Sequence, residues 1–154
     1  NTHREGITAL GKQDGLGLHL LPLETAGRLP HLLVKCRYEN HLLTWVVDTG
    51  AEVTVMASES ADRLGIPSVA SRSKIIDASG DRASVRSAVL HNLLFGRLLV
   101  HEFQVAVTPL GPIRRTFKDR SGRPVDGIIG MDFLEKSSAL LDTASRMLYL
   151  GSSP

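Results

Sequence analysis

Cysteine is almost missing from this sequence: Cys36 stands alone, so neither an intrachain disulfide nor a cysteine-rich zinc site holds the fold together. Aromatic residues are scarce at 5%, with a single Trp, which leaves most of the core to aliphatic side chains. No apolar run approaches the roughly 18 residues needed to span a bilayer, because a charged residue or histidine interrupts each one. A surplus of one charge is also lacking. Eighteen Lys and Arg face 16 Asp and Glu, a net +2 that is too small for a surface devoted to nucleic acid. The chain opens on Asn1 without a charged-then-apolar leader, so any targeting signal or membrane anchor is expected outside it, and the compartment stays open.

What is present suits one small domain. The 154 residues, 42% hydrophobic and 22% charged, have the composition of a globular protein with a real core. Residues 1–28 read as an N-terminal arm or lead-in, with a first strand candidate at Leu16–Leu23, and residues 29–154 as the domain proper. Within Leu29–Val47 two β-rich runs, HLLVKCRY and HLLTWVV, are split by Glu39-Asn40, a polar break suited to a hairpin. In the first run Lys35 and Arg37 share one face while Val34, Cys36 and Tyr38 share the other, the period of two that marks a half-buried strand. The second run is apolar on both faces and is therefore expected inside a sheet.

Ser58–Leu64, with a capping serine, early acids, Gly65 and Pro67, predicts a short helix. Residues 73–77 and 82–91 form the arms of a projecting hairpin around Ala78-Ser79-Gly80-Asp81. Leu98–Val107 is another strand. Thr108–Val125, punctuated by Pro109, Gly111, Pro112, Gly122 and Pro124, reads as a long loop. Five cations and one acid lie between its Arg114 and Arg123, so it is either a solvated loop or a grip for an acidic partner, nucleic acid or an acidic substrate segment. Ile128-Ile129 ends a strand, Met131–Lys136 is a second short helix, and Ala139–Leu150 holds two strands hinged at Thr143-Ala144-Ser145. The fold class is all-β: mostly β with two short helices.

The sharpest chemical feature is Val46-Val47-Asp48-Thr49-Gly50-Ala51. A carboxylate directly after a buried strand loses hydration, so its surroundings must supply hydrogen bonds or a partner group. Thr49 can lock such a loop through its hydroxyl, and Gly50 permits close backbone approach. As a bare tripeptide, Asp-Thr-Gly is equally an ordinary turn. Other patterns are weaker. GITALGKQ, from Gly6 to Gln13, has Gln where a phosphate loop needs Ser or Thr, and too few residues precede it to form the feeding strand. The six histidines show no HExxH spacing, and no G-x-S-x-G elbow occurs. Cys36 on an apolar face reads as packing, and Trp45 as core.

A second apolar-apolar-Gly element, Ile128-Ile129-Gly130, follows roughly eighty residues later and opens a helix. With Asp-Thr-Gly-Ala after an apolar strand, then a flap hairpin, then this element, the stretch from about Leu29 to Leu150 resembles the retropepsin-like aspartic proteases. The run Asp126-Gly-Ile-Ile-Gly-Met-Asp-Phe-Leu134 looks most like their cellular and bacterial members. The resemblance implies a closed β-barrel with one lobe per chain, and an aspartic endopeptidase that uses no metal or organic cofactor. It also implies Asp48 as catalytic aspartate, Thr49 as its bracing hydroxyl and Gly50 facing the substrate backbone. Ala51 and Glu52 would form the substrate rim, and Ala78, Ser79, Gly80 and Asp81 the flap tip. Val53, Val55 and Ile75 suit pocket walls.

Two departures stand out: Glu52 occupies a place where viral relatives commonly have aspartate, and Gly130 is followed by Met131 rather than arginine. Two carboxylates are needed for the chemistry, and one chain has one Asp-Thr-Gly. Leu140-Leu141-Asp142-Thr143-Ala144 lacks the glycine and reads as a turn. A twofold homodimer would supply the second aspartate. Expected partners are a second copy and peptide or protein substrates, the chain's own precursor among the candidates, with neither nucleic acid nor a membrane segment. The rival reading keeps the fold as a peptide-binding or dimerisation module whose catalysis has lapsed.

Overall fold

The hairpin that organises the molecule joins β4 (Leu29–Tyr38) to β5 (His41–Val47), with Tyr38 opposite His41 across the two-residue turn at Glu39-Asn40. Glu39 turns the chain at φ 52°. The alternation read from the sequence holds: Val34 and Cys36 are buried while Arg37 is exposed. β5 is covered on both faces, with Leu43, Trp45, Val46 and Val47 buried. The computed structural model describes residues 7–9, 18–71, 75–76, 82–83 and 85–151.

Six strands close into a barrel among these residues. β5 pairs on one side with β4, and β4 with β10 (Arg86–Phe95). β10 forms a long antiparallel pair with β11 (Leu98–Thr108), whose far end runs parallel to β6 (Val55–Ala57). β6 pairs antiparallel with β12 (Gly127–Ile129), and β12 returns parallel to β5, completing the ring. Closure leaves the ring without open edges. Three short strands flank it: β1 (Ile7–Ala9) on β11, β3 (Glu24–Ala26) on β4, and β7 (Val69–Ala70) on β10. The barrel interior is aliphatic around Trp45 and three phenylalanine rings, Phe133 lying 5.0 Å from Phe95 and 5.2 Å from Phe103 between ring centres.

The strand expected within 16–23 is β2 (Leu18–Pro22), which pairs with β14 (Met147–Gly151); β14 in turn pairs with β13 (Leu140–Asp142). Leu21, Leu148 and Leu150 turn inward to the core. The projecting hairpin is represented by β8 (Ile75–Ile76) paired with β9 (Arg82–Ala83); its tip, Ala78–Asp81, lies outside the described residues.

The helices require two corrections. Besides α1 (Ser58–Arg63) and α3 (Met131–Lys136), the segment expected as a long loop contains α2 (Gly111–Ser121). Its proline and glycine residues mark helix ends. Pro112 sits in the first turn, where a missing N–H costs nothing, and Gly122 closes the helix at φ 83° with its N–H on the Lys118 carbonyl. Phe117 points inward against Ala26, Leu33, Val46 and Val125. Ser58 does not cap α1: Ala57 holds the cap position, and the Ser58 hydroxyl bonds to Glu59 instead.

One buried carboxylate ties these helices to the barrel. Asp126 accepts the Thr44 N–H at 2.8 Å, the Ser60 hydroxyl at 2.7 Å and the Arg63 guanidinium at 3.0 Å, with Arg114 a further cation at 3.8 Å. Its charge is matched and its lone pairs are used, which is the condition for burying a carboxylate.

Cys36 is buried on β4, where the Trp45 indole N–H donates to its sulfur at 3.1 Å. Burial pushes its thiol up to about 12, and the nearby Asp126 charge adds to the rise while the indole bond opposes it. The folded protein should therefore resist a thiol reagent at pH 8, reacting at least about a thousandfold more slowly than after denaturation. Rapid stoichiometric labelling of the native chain would contradict the packing described here.

Candidate active site

Parallel pairing sets Val46 beside Ile128 and Val47 beside Ile129, so β5 and β12 end together. The Asp48 N–H continues this ladder to the Ile129 carbonyl at 3.0 Å. Asp48 is half-buried at the mouth of the barrel, and its Oδ1 accepts the Gly50 N–H at 2.9 Å. The Ala51 N–H reaches back to the Asp48 carbonyl at 3.2 Å, completing a tight turn. A side chain at Gly50 would place its Cβ 3.2 Å from Asp48 Oδ1, a crowding that glycine avoids. Among the described residues Asp48 accepts no side-chain hydrogen bond, and its second oxygen keeps its full capacity.

The loop after Asp48 is clamped to α3. Met131 N–H bonds to the Ala51 carbonyl at 2.8 Å and Asp132 N–H to the Glu52 carbonyl at 3.1 Å. Thr54 is buried, and both its N–H and its hydroxyl donate to Asp132 Oδ1, at 2.9 and 2.7 Å. The Thr54 oxygen also accepts the Gly130 N–H at 3.1 Å. A Cβ on Gly130 would lie 2.8 Å from the Ala51 and Val53 carbonyl oxygens, so only glycine admits this close approach.

Thr54 and Asp132 carry the loop, and sequence reasoning assigned neither a role. The available signals were a threonine before a buried strand and an acid in the first turn of a helix. The residues that were singled out are adjacent: Thr49, Gly50 and Glu52 are exposed and Ala51 is half-buried. Among the described residues the Thr49 hydroxyl makes no hydrogen bond within the chain; the loop is locked by the Gly50 N–H instead. Ala78, Ser79, Gly80 and Asp81 lie outside the described residues.

Asp142, in the tempting second motif, is a turn residue as expected. Its carboxylate accepts the Ala144 and Ser145 N–H groups at 3.1 and 3.2 Å, and the bonds from Ser145 and Ala144 hold it below the usual carboxylate range. Among the described residues no three His, Cys, Asp or Glu side chains group as a metal ion requires. A cleft of about 390 Å³ is lined by Val53 and Asp132, and by Val85 and Arg86 next to the β8–β9 arm, while Asp48 does not line it.

A closed barrel whose two apolar strand ends bracket an Asp-Thr-Gly-Ala turn is the retropepsin-like arrangement. Residues 34–133 match the aspartyl protease family, and the chain belongs to that family. Curated relatives include Protein DDI1 homolog 1 of Homo sapiens, 25% identical over 128 residues, and Protein DDI1 homolog 2 of Mus musculus, 24% identical over the same length. The match takes in 83% of this chain, which spans only 30% and 29% of the length of those two proteins.

Among solved structures, a retropepsin-like aspartic protease from Rickettsia conorii superposes with a TM-score of 0.59 at 18% identity, covering 87% of this chain and 98% of its own. The retroviral protease-like domain of Ddi1 from Leishmania major gives 0.53 at 19%, covering 82% and 97%. EIAV protease complexed with the inhibitor HBY-793 gives 0.56 at 16%, covering 77% and 99%. At these identities the likeness establishes the fold.

The clamp yields a test. Replacing Thr54 by Val keeps the shape but strips Asp132 and the Gly130 N–H of a partner inside the protein, and should cost about 2–3 kcal/mol in denaturant unfolding. Thr54→Ser should recover most of that. Equal stability of the Val and Ser variants would show that the hydroxyl does not hold the loop.

Proposed function

We propose that this chain is an aspartic endopeptidase whose site forms between two copies of Asp48 across a homodimer axis. The observation that carries the proposal is the state of Asp48 itself. It is half-buried at the end of an interior strand, and among the described residues its carboxylate accepts one hydrogen bond, from the Gly50 N–H of a braced loop. Membership of the aspartyl protease family supports the reaction class. A single carboxylate does not suffice, because one group cannot both accept a proton from water and donate one to the peptide carbonyl. Two carboxylates sharing a site solve this, since their repulsion keeps one protonated while the other stays ionised.

In the proposed cycle the ionised Asp48 takes a proton from a water held between the two chains, and the resulting oxygen bonds to the peptide carbonyl carbon. The protonated Asp48 of the other copy gives its proton to the carbonyl oxygen. The tetrahedral diol then collapses as a proton passes to the amide nitrogen and the C–N bond breaks. Thr49, exposed beside Asp48, and Gly50 lie where the twin loops meet in this arrangement. Ala51 and Glu52 form the rim for an extended peptide, Ala78–Asp81 the covering flap, and the cleft beside Val53 takes a substrate side chain.

Asp48→Asn keeps the Gly50 bond and the volume but removes the proton acceptor. Cleavage of an unfolded protein substrate should fall by about a thousandfold or more, with the thermal midpoint within about 3 °C of the parent. Sedimentation at rising concentration should give twice the 16.7 kDa mass of the chain. A fully active Asp48→Asn protein would remove the mechanism.

A further inference from the structure

Helix α2 carries more positive charge than the barrel needs. Arg114 is used internally: its guanidinium donates to the Ser60 hydroxyl at 2.8 Å and the Val125 carbonyl at 2.6 Å, beside Asp126. Arg115, Lys118 and Arg120 on the helix and Arg123 just beyond it are exposed. Among the described residues none of these four has an ion-pair partner, and Asp119 is the single acid interspersed with them. Arg115 and Lys118 also edge a hollow of about 250 Å³ between α1 and α2, with Glu59 on its other side. Among the described residues Glu59 forms no ion pair with either. It accepts the Leu110 N–H at 3.1 Å and the Ser58 hydroxyl. Partial desolvation works to raise its carboxyl, but those bonds, its own backbone N–H and the Arg114 charge prevail and hold it below the usual range.

The strip also has a defined place. Phe117, on the inner side of α2, packs in one cluster with Val46, against which Ile128 also lies. The helix therefore packs on the sheet face that carries Val46 and Ile128. Asp48 follows two residues after Val46, just past the end of β5. Eleven helical residues run about 16 Å, the reach of roughly five residues of extended peptide.

We propose that this cationic strip, centred on Arg115 and Lys118, is an exosite for an acidic stretch of polypeptide, which holds protein substrates by a segment outside the Asp48 site. An acidic peptide fits better than nucleic acid. The whole chain carries only +2, and the aromatic ring of α2, Phe117, is buried and so cannot stack on a base. The exosite role rests on the protease reading above, whereas binding of the acidic segment does not.

The test uses the full chain with Asp48→Asn, so that bound peptide is not cut, and a fluorescent dodecapeptide of alternating Glu and Ser read by anisotropy. Binding should weaken about tenfold or more in Arg115→Glu/Lys118→Glu and less in Arg115→Gln/Lys118→Gln. It should also fade between 25 and about 300 mM salt, with thermal melts showing each variant folded. Unchanged affinity in the charge-reversed protein overturns the proposal. So does tighter binding of a single-stranded oligonucleotide of equal charge, which would assign the strip to nucleic acid.

A second arm, on the chain with Asp48 intact, compares kcat/KM for one substrate with and without an acidic tail. The ratio should exceed one and fall to about one in the charge-reversed variant, through KM. A ratio that charge reversal leaves unchanged, while peptide binding is lost, overturns the exosite role. Peptide binding through Arg115 and Lys118 by a chain that cleaves nothing would sink the protease reading and leave the surface standing.

Discussion

The parallel pairing of β5 with β12 is the constraint from which the rest follows. It brings two short apolar strand ends side by side, so that the chain leaving one must turn against the chain leaving the other. The first exit is Asp48-Thr49-Gly50 and the second is Gly130 at the start of α3. Thr54 and Asp132 join the two exits by hydrogen bonds that are partly or fully buried. The carboxylate of Asp48 is thereby fixed by the backbone of its own loop and by the helix across from it, and the barrel behind it is packed and closed.

Three aspartates flanking β5 and β12 differ in what their surroundings ask of them. Asp126 is buried, and its oxygens are taken by Thr44, Ser60 and Arg63. Asp132 has one oxygen accepting from Thr54 twice and from the Phe133 N–H. Both are spent on holding elements together. Among the described residues Asp48 differs from both in accepting a single hydrogen bond, from the Gly50 N–H. The same contrast separates the cations of α2: Arg114 is consumed by the fold, and Arg115 and Lys118 are not.

Much of this was legible in the sequence because it is written in periods of two. Val34, Cys36 and Tyr38 against Lys35 and Arg37 identify a half-buried strand, and the run HLLTWVV before Asp48, apolar on both faces, identifies an interior one. Turn residues at Glu39-Asn40 and at Asp142 were also readable, since their chemistry is local. α2 was not, because Pro112 and Gly122 punctuate helix ends and loops alike, and only the inward Phe117 and Arg114, with their tertiary partners, decide between them. Thr54 and Asp132 escaped for a related reason. They lie 78 residues apart, and a hydrogen bond of that separation leaves no periodic trace in the chain.

The central claim is that each chain holds half of a site. Mixing the parent with a growing excess of the Asp48→Asn chain, under conditions that let subunits exchange, tests it directly. At constant total protein, activity should fall as the square of the parent fraction, since a mixed dimer has one competent carboxylate and is dead. A fall in simple proportion to the parent fraction would mean that one chain works alone, and the shared site would have to be abandoned.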